Sequence, residues 1–322
     1  MIRKLLKSLR EYKKPTLLTI FFAVIEVVFE ILIPLCMSDL LDFGIEGGKM
    51  SIVVKDGTWL IVLAALQLLT GVLAAVLGAK ASAGFSANLR QDIYDNVQTF
   101  SFSNIDKFST SSIVTRLTTD VTNIQNAYQM IIRIAVRGPI MLIFSVIVSF
   151  TINAKLAWIF LIVIPFMGFG LIFIAAKVHP IFERVFHKYD GLNNIVQENV
   201  KGMRVVKSFN SQEAEIGKFK HASGDIYKDF VKAERILAFN SPLMQFFMYG
   251  CMIAISWIGA KAIVASGNNE ALGLTTGKLT ALITYAMQIL MALMMLSMVF
   301  VMIMISRSST ERIVEVLEET TT

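Results

Sequence analysis

Two carboxylates, Glu26 and Glu30, stand one helical turn apart in an apolar run over residues 16–37, in which they are the only charges. A carboxylate in hydrocarbon is costly and seldom faces lipid, so the pair marks either an inward-facing cavity or a polar contact between helices. In the first case it forms a polar patch that would attract a cationic or amphipathic substrate. In the second, each carboxylate is satisfied by a neighbouring Gln, Asn or Ser, or lies near an aqueous vestibule. Tyr285, Gln288, Met291 and Met295 form a companion group on a Met-rich apolar run. Met is flexible and polarizable and recurs on surfaces that accept varied partners, although packing and lipid contact are the plainer account of any single Met.

The other reactive side chains form no catalytic constellation. There is no Gly-rich phosphate loop followed by Lys and Ser/Thr, no HExxH, no Cys/His cluster and no nucleophile elbow. His179, His187 and His221 have a spacing that suits no metal site, and Cys36 and Cys251 are two lone thiols in or beside apolar runs. The chain is expected to catalyse nothing by itself. Any uphill movement of solute would draw on another domain or on an ion gradient.

The elements that must hold these residues are membrane helices. Of 322 residues, 55% are hydrophobic and the mean hydropathy is +0.64. Six apolar runs cover residues 16–37, 59–79, 138–152, 156–176, 236–265 and 279–305, and runs of about 20 residues fit the hydrocarbon thickness. Lipid offers the backbone no hydrogen-bond partners and the runs lack the alternation of a barrel, so all six are expected to be helical. The first run is too long for a cleavable signal and is followed by Asp39 and Asp42 rather than by a small-residue cleavage site. With the N-terminus inside, 25 of the 30 Lys and Arg fall on the cytoplasmic side, leaving Lys49, Lys55, Lys155, Lys261 and Lys278 outside. That bias predicts a multi-pass protein of the cell membrane with both termini cytoplasmic. The net charge of +6 is then a topology signal, with no nucleic-acid partner implied.

Several helices are expected to outrun the bilayer. Phe85, Leu89, Ile93, Val97 and Phe100 continue the second run with helical spacing, and a helix over 59–100 would be roughly 60 Å long at 1.5 Å per residue. Its return partner is expected from near Thr118 through Ile124, Tyr128, Ile131 and Ile132 into the third run. Between them lies a polar, Ser/Thr-rich connector over residues 100–125. A second pair repeats the plan over 181–237, with its own polar tip at 208–215. Residues 2–12 place Ile2, Leu5, Leu6 and Leu9 opposite Arg3, Lys4, Lys7 and Arg10, the pattern of an interfacial helix or of a merely basic flank. The outer connections are short: about 46–56, the Asn153 turn, and 266–277. The expected division is an interfacial helix at 1–14, a six-helix membrane domain at 15–305, and a polar helix start at 306–322.

Three stretches resemble a known family. Asp106, Thr110, Ile113, Thr115, Arg116, Leu117, Thr118, Asp120 and Val121 resemble the first intracellular loop of type I ABC exporters. Residues 198–219, ENVKGMRVVKSFNSQEAEIGKF, resemble the second loop, and Ser309, Arg312, Ile313, Glu315, Val316 and Leu317 the segment leading into the nucleotide-binding domain. Ser111 replaces the usual loop Gly, and Asn104–Ile105 the usual Phe-Phe. The run from Thr110 to Ile113 resembles bacterial heterodimeric multidrug exporters, which favours a heterodimer over a homodimer. The resemblance implies an all-α ABC transporter type 1 transmembrane domain with long cytoplasmic extensions, acting as a half-transporter that pairs with a second half in the lipid bilayer. It implies two coupling helices, at Ser109, Thr110, Ser111, Ser112 and Ile113 with Arg116 and Asp120 holding the return turn, and at Phe209, Asn210, Ser211, Gln212 and Glu213. It implies a substrate cavity near Glu26, Glu30, Tyr285, Gln288, Met291 and Met295, for drugs, lipids, peptides or amphipathic compounds. ATP and Mg are implied only for the nucleotide-binding domain expected after Leu317, either cut away or carried by a separate chain. A gradient-driven transporter or channel, and a non-transporting scaffold, are the competing readings.

Overall fold

A computed structural model describes residues 5–268 and 273–319, the side chains of residues 105–107 excepted. Ile2, Arg3 and Lys4 of the expected interfacial helix, and the side chain of Asp106, therefore lie outside the described residues. Every regular element among the described residues is helical. In chain order they are α1 (Leu6–Tyr12, a 3-10 helix), α2 (Lys13–Asp39), α3 (Met50–Gln98), α4 (Phe102–Lys107), α5 (Thr110–Thr115) and α6 (Val121–Ile152). Then follow α7 (Ala154–Lys201), α8 (Met203–Ser208), α9 (Gln212–Ala238), α10 (Asn240–Ser266) and α11 (Thr276–Glu318). A π-turn, Leu40–Ile45, extends α2, and a second, Arg116–Asp120, joins α5 to α6. Among the described residues, six helical stretches are long and apolar enough to cross a membrane.

The apolar runs locate these helices, and local chemistry sets their ends. Lys49 opens α3 by accepting from the amides of Ile52 and Val53 at 3.0 and 3.2 Å, so the connection expected over 46–56 shrinks to 46–49. At 49 residues, α3 is about 74 Å long, more than twice a hydrocarbon core. Pro165 and Pro180 lie inside the 48-residue α7 without ending it. The fifth run, expected as one span, is broken at Phe239. Pro242 then sits in the first turn of α10, where its missing N–H costs no helical hydrogen bond.

The chain divides into two compact units, residues 1–160 with 252–322, and residues 161–251. The first has one core of Val27, Ile31, Met141, Ala281, Tyr285 and Ala292, which locks α2, α6 and α11 together. Another core joins Phe85, Leu89 and Ile93 of α3 to Val121 and Ile124 of α6 and to Ile313, Val314 and Val316 of α11. Leu5 and Leu9 are buried in this second core. The apolar side of the first described residues thus packs on α3. Arg10 takes a positive φ of 35° at the kink, with its guanidinium paired to Asp92.

In the second unit α7 and α9 form an antiparallel hairpin. Phe182 meets Phe230 edge to face, Lys188 pairs with Asp229 at 2.8 Å, and Asn199 donates to Glu215 at 2.8 Å. Ile174, Val178 and Ile181 pack with Ala233.

Candidate functional site

Glu26 and Glu30 leave α2 on the face turned towards α6, and their common partner is Arg137. One guanidinium nitrogen donates to Glu26 Oε1 at 2.9 Å and the other to Glu30 Oε2 at 2.7 Å. The neighbouring Gln, Asn or Ser that the sequence offers as one alternative is not what pairs with the carboxylates; the partner is a guanidinium. The Glu26 side chain is 9% exposed, and its Oε2 has no hydrogen-bond partner among the described residues. On its far side α3 presents Gly71, where a Cβ would stand 3.2 Å from Glu26 Oε1. A larger residue there would require the carboxylate to give by a few tenths of an ångström.

Beside this triad is a small recess lined by Glu30, Arg137, Met141, Gln288, Met291 and Met295. Gln288 accepts from Ser145 and donates to the Glu30 carbonyl, each at 3.4 Å. Glu30, Gln288, Met291 and Met295 are therefore brought together at one recess. Glu26 reaches the recess only through Arg137. Tyr285 does not reach it: fully buried, it donates to the Ile31 carbonyl at 2.6 Å.

The first polar tip contains a real helix, α5, whose N-cap Ser109 accepts from the Ser112 amide at 3.3 Å. Ser109, Thr110 and Ser111 are exposed, with Ser112 and Ile113 half-buried. Arg116 and Asp120 turn the other way and are buried. Asp120 accepts from Ser309 at 2.9 Å and from Arg312 Nε at 2.8 Å. Arg116 donates to the Arg312 carbonyl at 2.7 Å and to Glu315 at 2.8 Å, and its guanidinium lies over the Phe108 ring. Asn96 of α3 donates to the Val316 carbonyl at 2.6 Å. Burial pushes the Asp120 carboxyl up, but hydrogen bonds from Arg312 and Ser309, with the charges of Arg312 and Arg116, hold it below the usual range. The sequence linked Arg116 and Asp120 to the return turn. It did not show that their partners lie nearly 200 residues away on the tail of α11.

At the second tip the helix lies upstream of the expected residues. α8 covers Met203–Ser208, Phe209 is 77% exposed, and Asn210 makes the corner with φ 50°. Gln212 and Glu213 open α9.

Residues 16–294 match the family model described as the ABC transporter transmembrane region. The chain belongs to that family. Among its relatives, an uncharacterized ABC transporter ATP-binding protein of Bacillus subtilis, YfiB, is 30% identical over 98% of this chain and 54% of its own length. Rv1273c of Mycobacterium tuberculosis, named likewise, is 27% identical over 97% of this chain and 52% of its own length. A putative export ATP-binding/permease protein of Rickettsia bellii is 22% identical over 89% of this chain and 49% of its own length. The chain spans about half the length of the curated relatives it matches. It is a multi-pass, all-helical ABC transporter membrane domain.

Proposed function

We propose that this ABC transporter membrane domain translocates amphipathic substrates, drugs or lipids among them, out of the cell at the expense of ATP bound and hydrolysed by nucleotide-binding domains. The observation that carries this reading is the buried joint between the first polar tip and the tail of α11. Arg116 and Asp120 tie α5 to Ser309, Arg312 and Glu315, so a push on the exposed tip is delivered to a helix that also lines the recess. In this reading both tips and both termini face the cytoplasm. Residues 109–113 and 209–213 contact the nucleotide-binding domains as coupling helices, and a second, non-identical half completes the cavity. The two tips bias one bistable element, which is how ATP-driven closure would switch the cavity between inward and outward access. The name of the Rickettsia relative supports the direction of transport.

The test uses the full-length transporter in inside-out vesicles. ATP should drive uptake of a fluorescent amphiphile, and Thr110→Pro with Ser111→Pro in α5 should abolish uptake while ATP hydrolysis persists. Uptake that survives ATP depletion and collapses with the ion gradient would favour a secondary transporter instead. Binding without uptake under any condition would favour a scaffold.

A further inference from the structure

We propose that Asn96 and Asn104 are positioning residues that grip the last turn of α11 and aim it, so that they govern how much transport accompanies each ATP hydrolysed. The proposal rests on the export reading and adds to it a pair of residues outside the Arg116–Asp120 joint.

The first grip is on the backbone. Asn96 lies in the last turn of α3, where its own carbonyl accepts from the Thr99 amide at 3.0 Å. Its side chain crosses to α11, and Nδ2 donates to the Val316 carbonyl at 2.6 Å and to the Glu319 carbonyl at 3.3 Å. Both acceptors lie at the end of a helix, where carbonyls run short of intrahelical donors. The helix itself offers Val316 the Glu319 amide at 3.3 Å. That partner remains without Asn96, so the Asn96 bond aims the tail more than it stabilises the fold. One turn earlier Arg116 holds the Arg312 carbonyl at 2.7 Å, and Asn96 carries the same backbone grip to the end of the helix.

The second grip is on a side chain. Asn104 is buried, and its Oδ1 accepts from the Ser101 amide at 3.1 Å and from the Ser101 hydroxyl at 2.6 Å. This capping box orients the amide and leaves Nδ2 directed at Glu319 Oε1, 3.0 Å away. A donor to a carboxylate makes a stronger bond than a donor to a neutral oxygen. Phe108, next after α4, stacks on Phe100 and is buried in the core shared by α3, α6 and α11, which seats α4. Phe, the usual residue at position 104 in the exporters that this loop resembles, has no donor to make the bond. Two asparagines from α3 and α4 thus hold one turn of α11. Tilting the tail breaks the contact with its carbonyls, and rotating it breaks the contact with Glu319.

The experiment uses the full-length transporter in lipid nanodiscs and in inside-out vesicles. Hydrogen exchange over 312–319 reads the grip, and uptake of a fluorescent amphiphile per ATP hydrolysed reads its consequence. Asn104→Asp sets two carboxylates against each other. It should speed exchange and cut the uptake-to-hydrolysis ratio about fivefold, at the lower end of ordinary coupling effects, with the KM for ATP unchanged. Adding Glu319→Gln reverses the hydrogen bond, because the new carboxylate still accepts from Ser101 and now also from the Gln amide. Both readouts should then return to the parent values. Asn96→Leu keeps the side-chain size and removes the donor, and it should act like Asn104→Asp. Should Asn96→Leu fail to fold, the reversed pair at the half-buried Glu319 carries the test alone. An unchanged ratio in variants whose tail has loosened overturns the proposal and leaves export standing. Unchanged exchange in the single variants, or a folded double variant that recovers neither readout, overturns it as well. A parent without ATP-driven uptake sinks the export reading, and with it the role in coupling; exchange, and its recovery in the double variant, then shows whether the grip itself stands.

Discussion

The two polar tips use similar residues, yet their supports differ in kind. Behind α5, Asp120 and Ser309 are almost without solvent exposure and are joined by Arg312 and Arg116. Behind α8, Glu215 takes hydrogen bonds from Asn199 and Lys218 at the surface, and Lys188 meets Asp229 further along the same hairpin. One support is a buried knot across distant parts of the chain; the other is a row of surface contacts within one hairpin. Breaking a buried, hydrogen-bonded charge strands its partners, whereas surface pairs exchange protein for water at little cost. The first tip is built to keep its geometry, and the second to be shaped by whatever it meets.

The largest effect that would break this contrast is expected at Asp120. Asp120→Ala strands the Ser309 hydroxyl and leaves Arg312 without its carboxylate, at a cost of about 2 kcal/mol once the exposure of Arg312 is allowed for. Hydrogen exchange on the full-length transporter should show faster exchange over 306–318, while Glu215→Ala leaves 203–215 nearly unchanged. Equal responses would erase the distinction. Acid provides the next test. The native Asp120 carboxyl titrates below its ordinary value, so its contribution is complete at neutral pH and is lost as pH falls below about 4 through the native pKa. Protection over 306–318 should fade across that window.

Salt should act the other way round. The Glu215–Lys218 and Lys188–Asp229 pairs are exposed on at least one side, and 1 M salt shortens the Debye length to about 3 Å. Exchange over 212–230 should rise in salt while that over 306–318 stays constant. The smallest expected effect is at the corner of the second tip, where Asn210 adopts φ 50°. Glycine takes this conformation freely, so Asn210→Gly should stabilise the corner by about 0.5 kcal/mol after its larger unfolded-state entropy is counted. Calorimetric scans can detect a gain of that size, and a loss would mean that the Asn side chain holds the corner.

Much of this was legible from local pattern. Apolar runs located all six membrane helices, and the Phe85–Leu89–Ile93 stripe showed that α3 leaves the bilayer with one buried face. Ser109 to Ile113, assigned to a short helix by the family resemblance, fall at the start of α5. What local pattern does not carry is pairing across the chain. Arg137 looks like any basic residue flanking a span, and nothing local marks it as the partner of two carboxylates on another helix. Glu26 and Glu30 announced a polar contact but not the identity of its partner. Tyr285 and Gln288 lie within one turn of each other, and helix rotation alone decided that one fills the core while the other edges the recess. Leu5 and Leu9 fit a lipid-facing surface as well as a protein-facing one, because burial in either removes the same apolar area from water.

α11 is fastened at three stations. Asp42 accepts from Thr275 at 2.5 Å and from the Gly277 amide at 2.7 Å, in a contact so close that a Cβ at Gly277 would run into the Ser38 carbonyl. Tyr285 fastens the helix to α2, and Ser309 with Arg312 fastens its tail. A beam pinned in this way cannot slide along its axis; it can only bow between its pins. The long bay between Gln288, which donates to the Glu30 carbonyl, and Ser309 is the Met-rich stretch, filled with the side chains that best tolerate a changing outline. Load applied at the tail should therefore appear as curvature beside Met291 and Met295, leaving the Asp42 end still.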